Sequence, residues 1–192
     1  MKTPIKRIAE SAMLIAIGTV LSLFTFTGPW AFGGGITVCS MLPLVMIAQR
    51  YGTPWGIFSA LVYSLLQMFL GISNVQCATN FLTGAGIVLL DYVLAFSAVG
   101  CSACFNGVIK DRKTSIAVGI VVTFTVRLLC HFLSGYLIWD ALFPNEMGMS
   151  AAIYSIAYNS SYMIPEIIIT VLVALISYKP LEKYWTGADL TK

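Results

Sequence analysis

Residues Arg127 to Trp139 read R-L-L-C-H-F-L-S-G-Y-L-I-W, and after a short acidic loop Tyr154 to Glu166 read Y-S-I-A-Y-N-S-S-Y-M-I-P-E. Both stretches are apolar enough to cross a bilayer, yet together they hold Arg127, His131, Trp139, Tyr154, Asn159 and Glu166. Ionisable groups inside lipid are costly, so they face a protein interior or a watery cavity and mark a functional site. Asp91, in the preceding apolar stretch, is the only other acid at comparable depth. These residues are therefore expected to surround a pocket for a small cationic ligand.

The rest of the chain agrees with a membrane setting. Of 192 residues, 58% are hydrophobic and only 10% are charged, far more apolar than a soluble domain of this size requires. The predicted fold is all-α: one integral membrane domain over 1–192, a bundle of six transmembrane helices spanning roughly 8–26, 30–49, 54–71, 83–105, 116–139 and 151–178. No G-x-x-x-x-G-K-[ST] phosphate loop occurs, so any ATP-driven step needs a partner chain. The net charge of +3 gathers in loops, which speaks to topology and against nucleic acid. The apolar run after Lys6-Arg7 is too long for a cleavable signal. Cys101-x-x-Cys104 has redox or zinc spacing but lacks a second pair, so the cysteines are expected to be inert thiols.

Loop charges orient the bundle. Lys2, Lys6, Arg7, Arg50, Lys110, Arg112, Lys113, Lys179 and Lys183 all fall on one side of a six-span arrangement. The opposite loops carry only Asp140 and Glu146 among charged residues. The positive-inside rule then places both termini in the cytoplasm of a multi-pass protein of the cell membrane. Ala12 and Ala16, one turn apart in the first span, permit close approach of another helix, from this chain or from a partner. Between the first two spans, Trp30 and Phe32 precede three glycines, a combination that suits interfacial aromatics or a mobile lid.

Depth narrows the site. Asp91 lies eight residues in from Thr83, His131 eight in from Trp139, and Asn159 eight in from Ala151. Each is ~12 Å below the outer boundary at the helical rise, so three polar groups from three helices are expected at one level. Arg127, His131, Gly135 and Trp139 recur every four residues along one face, and Ser155, Asn159, Tyr162 and Glu166 form a second polar stripe. Asp91 either pairs with Arg127 or meets a cation while Arg127 pairs with Glu166. Trp139 and Tyr154 serve either as interfacial aromatics or as rings stacking on a flat or cationic ligand. His131 has no second histidine beside it, so no metal site is expected. A Ser134, His131 and Asp91 hydrolase triad lacks evident oxyanion donors.

At these residues the chain resembles a known family. L-L-D-Y-V-L-A-F (Leu89 to Phe96), H-F-L-S-G-Y-L-I-W (His131 to Trp139) and Y-S-I-A-Y-N-S-S-Y-M-I-P-E (Tyr154 to Glu166) resemble the thiamin-specific substrate-binding (S) component of energy-coupling factor vitamin transporters. G-G-I-T-V-C-S-M-L-P-L (Gly34 to Leu44) is similar to that family's second span. The resemblance implies a thiamin-binding subunit without catalysis or cofactor, docking on a coupling protein (the T component) and two ATPase subunits. It implies ligand-binding roles for Asp91, Tyr92, His131, Trp139, Tyr154 and Asn159. It also implies a partner-contact role for Ala12 and Ala16, and a lid between the first two spans. Some members carry glutamate at Asp91, tryptophan at Tyr63 and an acid at Val38. An S component for another heteroaromatic vitamin or a thiamin precursor is the alternative.

Overall fold

The computed structural model describes residues 3–26, 28 and 34–190. Trp30, Phe32 and Gly33 of the expected lid lie outside the described residues. The chain is mostly helical: α1 (Thr3–Leu23), a two-stranded hairpin of β1 (Thr25–Phe26) and β2 (Ile36–Thr37), α2 (Leu42–Tyr51), α3 (Thr53–Leu70) and the short α4 (Ile72–Gln76). Three long helices follow, α5 (Phe81–Gly107), α6 (Arg112–Leu142) and α7 (Ala151–Tyr178), then the short α8 (Glu182–Thr186). In the hairpin, Thr25 faces Thr37 and Phe26 faces Ile36 in antiparallel register.

Local chemistry sets the boundaries. Asn80 caps α5 by accepting from the Thr83 N–H at 2.9 Å, and Asp111 caps α6 through the Thr114 N–H at 2.8 Å. Gly52, at φ 87, ends α2, and Pro54 in the next turn starts α3. One boundary departs from expectation. In place of a helix over 30–49, residues 36–41 form a strand and a turn, and α2 begins only at Leu42. Pro43 accounts for this, because proline suits a first helical turn and disfavours a helix running into it from upstream.

Four helices (α3, α5, α6 and α7) are long and apolar enough to cross a membrane. By contrast, α1 carries Lys6, Arg7 and Glu10 in its first turns, and α2 has only 10 residues. Burial is inverted relative to a soluble protein: Ile168, Leu172 and Ile176 on α7 are exposed, whereas Arg127, Asn159 and Glu166 are buried. Such a surface is stable only against lipid. Inside the bundle, α3 and α5 touch backbone to backbone at Gly56 and Gly100, where any side chain would collide.

The basic end of the bundle is fastened by a charge cluster. The Arg50 side chain is fully enclosed, and its guanidinium meets Asp189 through two bonds of 2.6 and 2.7 Å. It also reaches Glu10 at 2.7 Å and the Tyr184 carbonyl at 3.0 Å, with the Tyr184 ring 4.0 Å away. Lys6 adds a 3.1 Å contact to Asp189. The α8 segment is thereby tied to α1 and α2, with Trp185 fully buried beneath it. Removing one partner of an enclosed ion pair strands the other, so Arg50→Ala should lower unfolding stability by about 3 kcal/mol or more, seen in thermal unfolding in detergent.

Hydrogen bonds from Arg50 hold Asp189 well below the usual carboxylate range. A depressed folded-state value contributes stability above the unfolded pKa of about 4, and that contribution is lost only as pH falls through the folded value. Between pH 8 and pH 5 the group is ionised in both states, so its contribution to the midpoint of thermal unfolding should stay constant there. The Asp189→Asn chain should lie below wild type across that whole window, and the gap should narrow only under stronger acid.

Candidate functional site

A cavity of about 440 Å³ opens between α1, β2, α3, α5, α6 and α7. That volume lies in the range of small-molecule sites. Asp91, Tyr92, His131, Trp139, Tyr154 and Asn159 all line it. The expected convergence at one depth is present: His131 Nδ1 lies 3.1 Å from Asp91 Oδ1, and Asn159 Nδ2 donates to the His131 carbonyl at 3.3 Å.

Departures from regular helix occur where the site residues sit. Asp91 and Tyr92 belong to a π-helical segment of α5, Val88–Leu94, and Trp139 ends another in α6, Gly135–Trp139. Such wider turns are rare and frequent at functional sites. They also solve a geometrical problem: residues four apart drift by about 40° per step on an α-helix. A stripe from Arg127 to Trp139 would wander off the cavity, and the final wide turn brings Trp139 back, so that all four members line the wall.

The two deep acids are treated differently. Glu166 lies 3.4 Å from Arg127, whose guanidinium also sits 4.9 Å from the Phe96 ring centre. Glu166 further accepts a hydrogen bond from Thr37. Asp91 instead receives Ser134 Oγ at 2.7 Å and Trp139 Nε1 at 2.9 Å on one oxygen, with His131 on the other. Its donors are a hydroxyl, an indole and an imidazole, so no lysine or arginine among the described residues offsets its charge. With His131 Nδ1 turned to a carboxylate, that nitrogen carries a ring proton, and in a neutral ring Nε2 is then the acceptor. Among the described residues Nε2 has no partner, although it is buried. Ser134 donates to Asp91 and not to His131, so the residues of the conceivable triad do not form a nucleophile–base pair.

Other expected residues are engaged within the protein. Tyr92 Oη donates to the Gly71 carbonyl at 2.9 Å and accepts from Asn74 at 3.2 Å, pinning the start of α4 to α5. Asn159 Nδ2 also donates to the Ser155 carbonyl at 2.9 Å, and its Oδ1 accepts from Tyr162 at 2.6 Å. Tyr154, Tyr158 and Tyr162 form a run of contacting rings along α7, with centroids 5.9 and 6.0 Å apart. Trp139 stacks on Phe143 at 6.1 Å. The wall is thus aromatic on two sides.

Several lining residues went unassigned in the sequence reading. Tyr63 and Gln67 of α3 face the cavity, and their spacing of one helical turn was the available signal. Thr37, Ser40 and Asn74 also line it, from a two-residue strand, a turn and a five-residue helix too short to carry a periodic signal. Val38 is 61% exposed and does not line the cavity. Ala12 and Ala16 are exposed on α1, whose buried face is instead Ser11, Ile15 and Gly18. Neither alanine therefore packs within the bundle.

The fold and site are those of a helical membrane bundle enclosing an aromatic chamber, with a carboxylate held by three hydrogen-bonding side chains in its wall. The chain belongs to the thiamine transporter protein family (Thia_YuaJ), whose pattern matches residues 8–185. It is 28% identical over 176 residues to the thiamine transporter ThiT of Bacillus subtilis (strain 168), covering 87% of each chain. It is 22% identical over 179 residues to the thiamine transporter ThiT of Lacticaseibacillus paracasei, covering 86% of this chain and 83% of that one. Its fold is similar to a solved ThiT from Listeria monocytogenes, with TM-score 0.76 and 21% identity over 95% of this chain and 98% of that one. It is also similar to a solved S component of a bacterial ECF transporter, with TM-score 0.63 and 20% identity over 93% and 96% of the two chains. The protein is a membrane protein of a transporter family and not an enzyme.

The contact between α6 and α7 beside the chamber is tight. A Cβ on Gly135 would overlap Ser155 Oγ and come within 3.4 Å of Asn159 Nδ2. Gly135→Ala should therefore cost about 1–3 kcal/mol of stability. Gly107→Ala, where an added carbon meets nothing within 4 Å, serves as the matched control and should be close to neutral in the same melts.

Proposed function

We propose that this chain is the S component of an energy-coupling factor transporter, capturing thiamin from outside the cell for ATP-driven uptake. The observation that carries the reading is Asp91, a carboxylate in an aromatic-walled chamber, supported by three donors and offset by no lysine or arginine among the described residues. Thiamin has a permanent thiazolium charge and a flat aminopyrimidine with donor and acceptor edges. Asp91 offsets that charge, and the rings of Trp139, Tyr154 and Tyr92 provide flat surfaces. A desolvated cation against an aromatic face gains about 2 kcal/mol. His131 Nε2 supplies the acceptor for the ligand's amino edge. Asn159 holds the His131 backbone in place.

In this reading six segments cross the cell membrane, and both termini lie in the cytoplasm beside the basic loops. The chamber opens outward. The chain docks on the T component through the exposed face of α1 that carries Ala12 and Ala16, and two ATPase subunits supply the energy. Small residues at that spacing allow a partner helix to approach closely.

Binding of thiamin to the purified chain, followed by tryptophan fluorescence, tests the assignment. Asp91→Asn keeps the shape and removes the charge, so it should weaken thiamin by tenfold or more, about 1.4 kcal/mol or above. It should weaken the neutral pyrimidine precursor far less. Equal losses for both ligands, or tighter binding of riboflavin or the precursor than of thiamin by the unaltered chain, would refute it.

A further inference from the structure

The turn joining β2 to α2 has an unfavourable backbone shape, and the buried Glu166 is bonded to Thr37 beside it. Cys39, in the middle of that turn, has φ 54, the one left-handed non-glycine residue among those described. An L side chain there is strained, and such strain persists only where surrounding contacts enforce it. The enforcing contacts are visible on either side of Cys39. Thr37 and Ser40 share a hydrogen bond of 2.7 Å between their hydroxyls, and Thr37 donates to Glu166 Oε1. The Cys39 N–H bonds the Thr37 carbonyl at 3.0 Å, and the Leu42 N–H bonds the Cys39 carbonyl at 3.0 Å. Glu166, 1% exposed, gives its other oxygen to Arg127.

One carboxylate therefore spans three parts of the cavity wall: α7, α6 and the strained turn. Thr37, Ser40 and Met41 are themselves lining residues, so the shape of this turn is part of the shape of the chamber. The turn is also where the chain leaves the β1–β2 hairpin, whose Thr25 and Gly35 line the same cavity.

We infer that Glu166 is a positioning residue of the chamber: its bond to Thr37 clamps the strained 37–41 turn against the cavity, and Arg127 fixes the carboxylate for that task. It acts through Thr37 and does not itself meet the ligand's cation, because its charge is already matched by Arg127. The clamp controls how long a bound ligand is retained. This last statement rests on the thiamin reading above, whereas the clamp itself does not.

The test uses the full chain in detergent with Thr37→Val, Thr37→Ser, Glu166→Gln and Cys39→Gly. Amide hydrogen exchange without ligand should quicken over residues 34–41 in Thr37→Val and Glu166→Gln and stay near wild type in Thr37→Ser. In a Cys39→Gly background, where glycine accepts the left-handed shape, Thr37→Val should quicken exchange much less. Thiamin release, followed by fluorescence, should accelerate about tenfold in Thr37→Val and in Glu166→Gln, the scale of one lost bond to a charged group, with no further gain in the double variant. Unchanged exchange at 34–41 in Thr37→Val overturns the clamp, whatever the ligand does. Quickened exchange with unchanged release overturns its role in retention. If wild type fails to bind thiamin, the thiamin reading falls, and the exchange measurements still decide whether Glu166 holds the turn.

Discussion

Arg127 has Glu166 within reach, and that pairing decides what the rest of the interior can do. Burying charge in a bilayer is tolerable only when each group is matched. Of the two deep acids, Glu166 takes the only arginine at that level, and the guanidinium is steadied by the face of Phe96. Asp91 is left with neutral donors and a histidine. Had Arg127 turned to Asp91 instead, the chamber would present a finished ion pair to an incoming ligand and offer nothing to a cation. The division of labour between two carboxylates thus follows from the placement of one arginine, a turn deeper than His131.

The same economy of polar groups governs the backbone. Inside lipid an unpaired peptide group is costly, and irregular backbone is tolerated only where protein or a water-filled cavity receives it. The irregular elements obey this. The π segments at Val88–Leu94 and Gly135–Trp139 and the β1–β2 hairpin all contribute to the cavity wall, while the lipid-facing runs of α7 are regular helix. The 3-10 stretch at the end of α5, Gly100–Gly107, lies instead in the close contact of α5 with α3 and α6, where Gly100 meets Gly56 and Ser102 meets Gly119.

Much of this was legible in the residues, and what was not has physical reasons. The depth of Asp91, His131 and Asn159 could be counted because helices advance at a fixed rise, and the three do meet. The family resemblance could be seen because its motifs are contiguous. The partner of Arg127 could not be decided, since both candidate acids lie within reach of a long side chain and only packing chooses between them. Helix phase past Gly135 could not be foreseen, because a π turn leaves no mark in hydrophobic periodicity. The late start of α2 could not be read for a similar reason: a short run such as Ile36 to Met41 is compatible with helix or strand, and Pro43 decides in favour of a start at Leu42. Thr37, at the end of a two-residue strand, and Ser40, in a turn, escaped notice as lining residues because such short pieces have no period to read.

Asn159 lines the chamber and is at the same time bonded within the protein. An amide has two N–H donors, and here they serve the carbonyls of Ser155 and His131, while its oxygen takes the Tyr162 hydroxyl. These bonds lock α7 onto α6 at the level of His131, beside the Asp91 carboxylate. Bonds of this kind settle the positions of the chamber groups in advance. Ordering a site in advance leaves more of the contact energy for binding. A bundle whose exterior is shaped only by lipid can achieve that order only through polar bonds of this kind within its core.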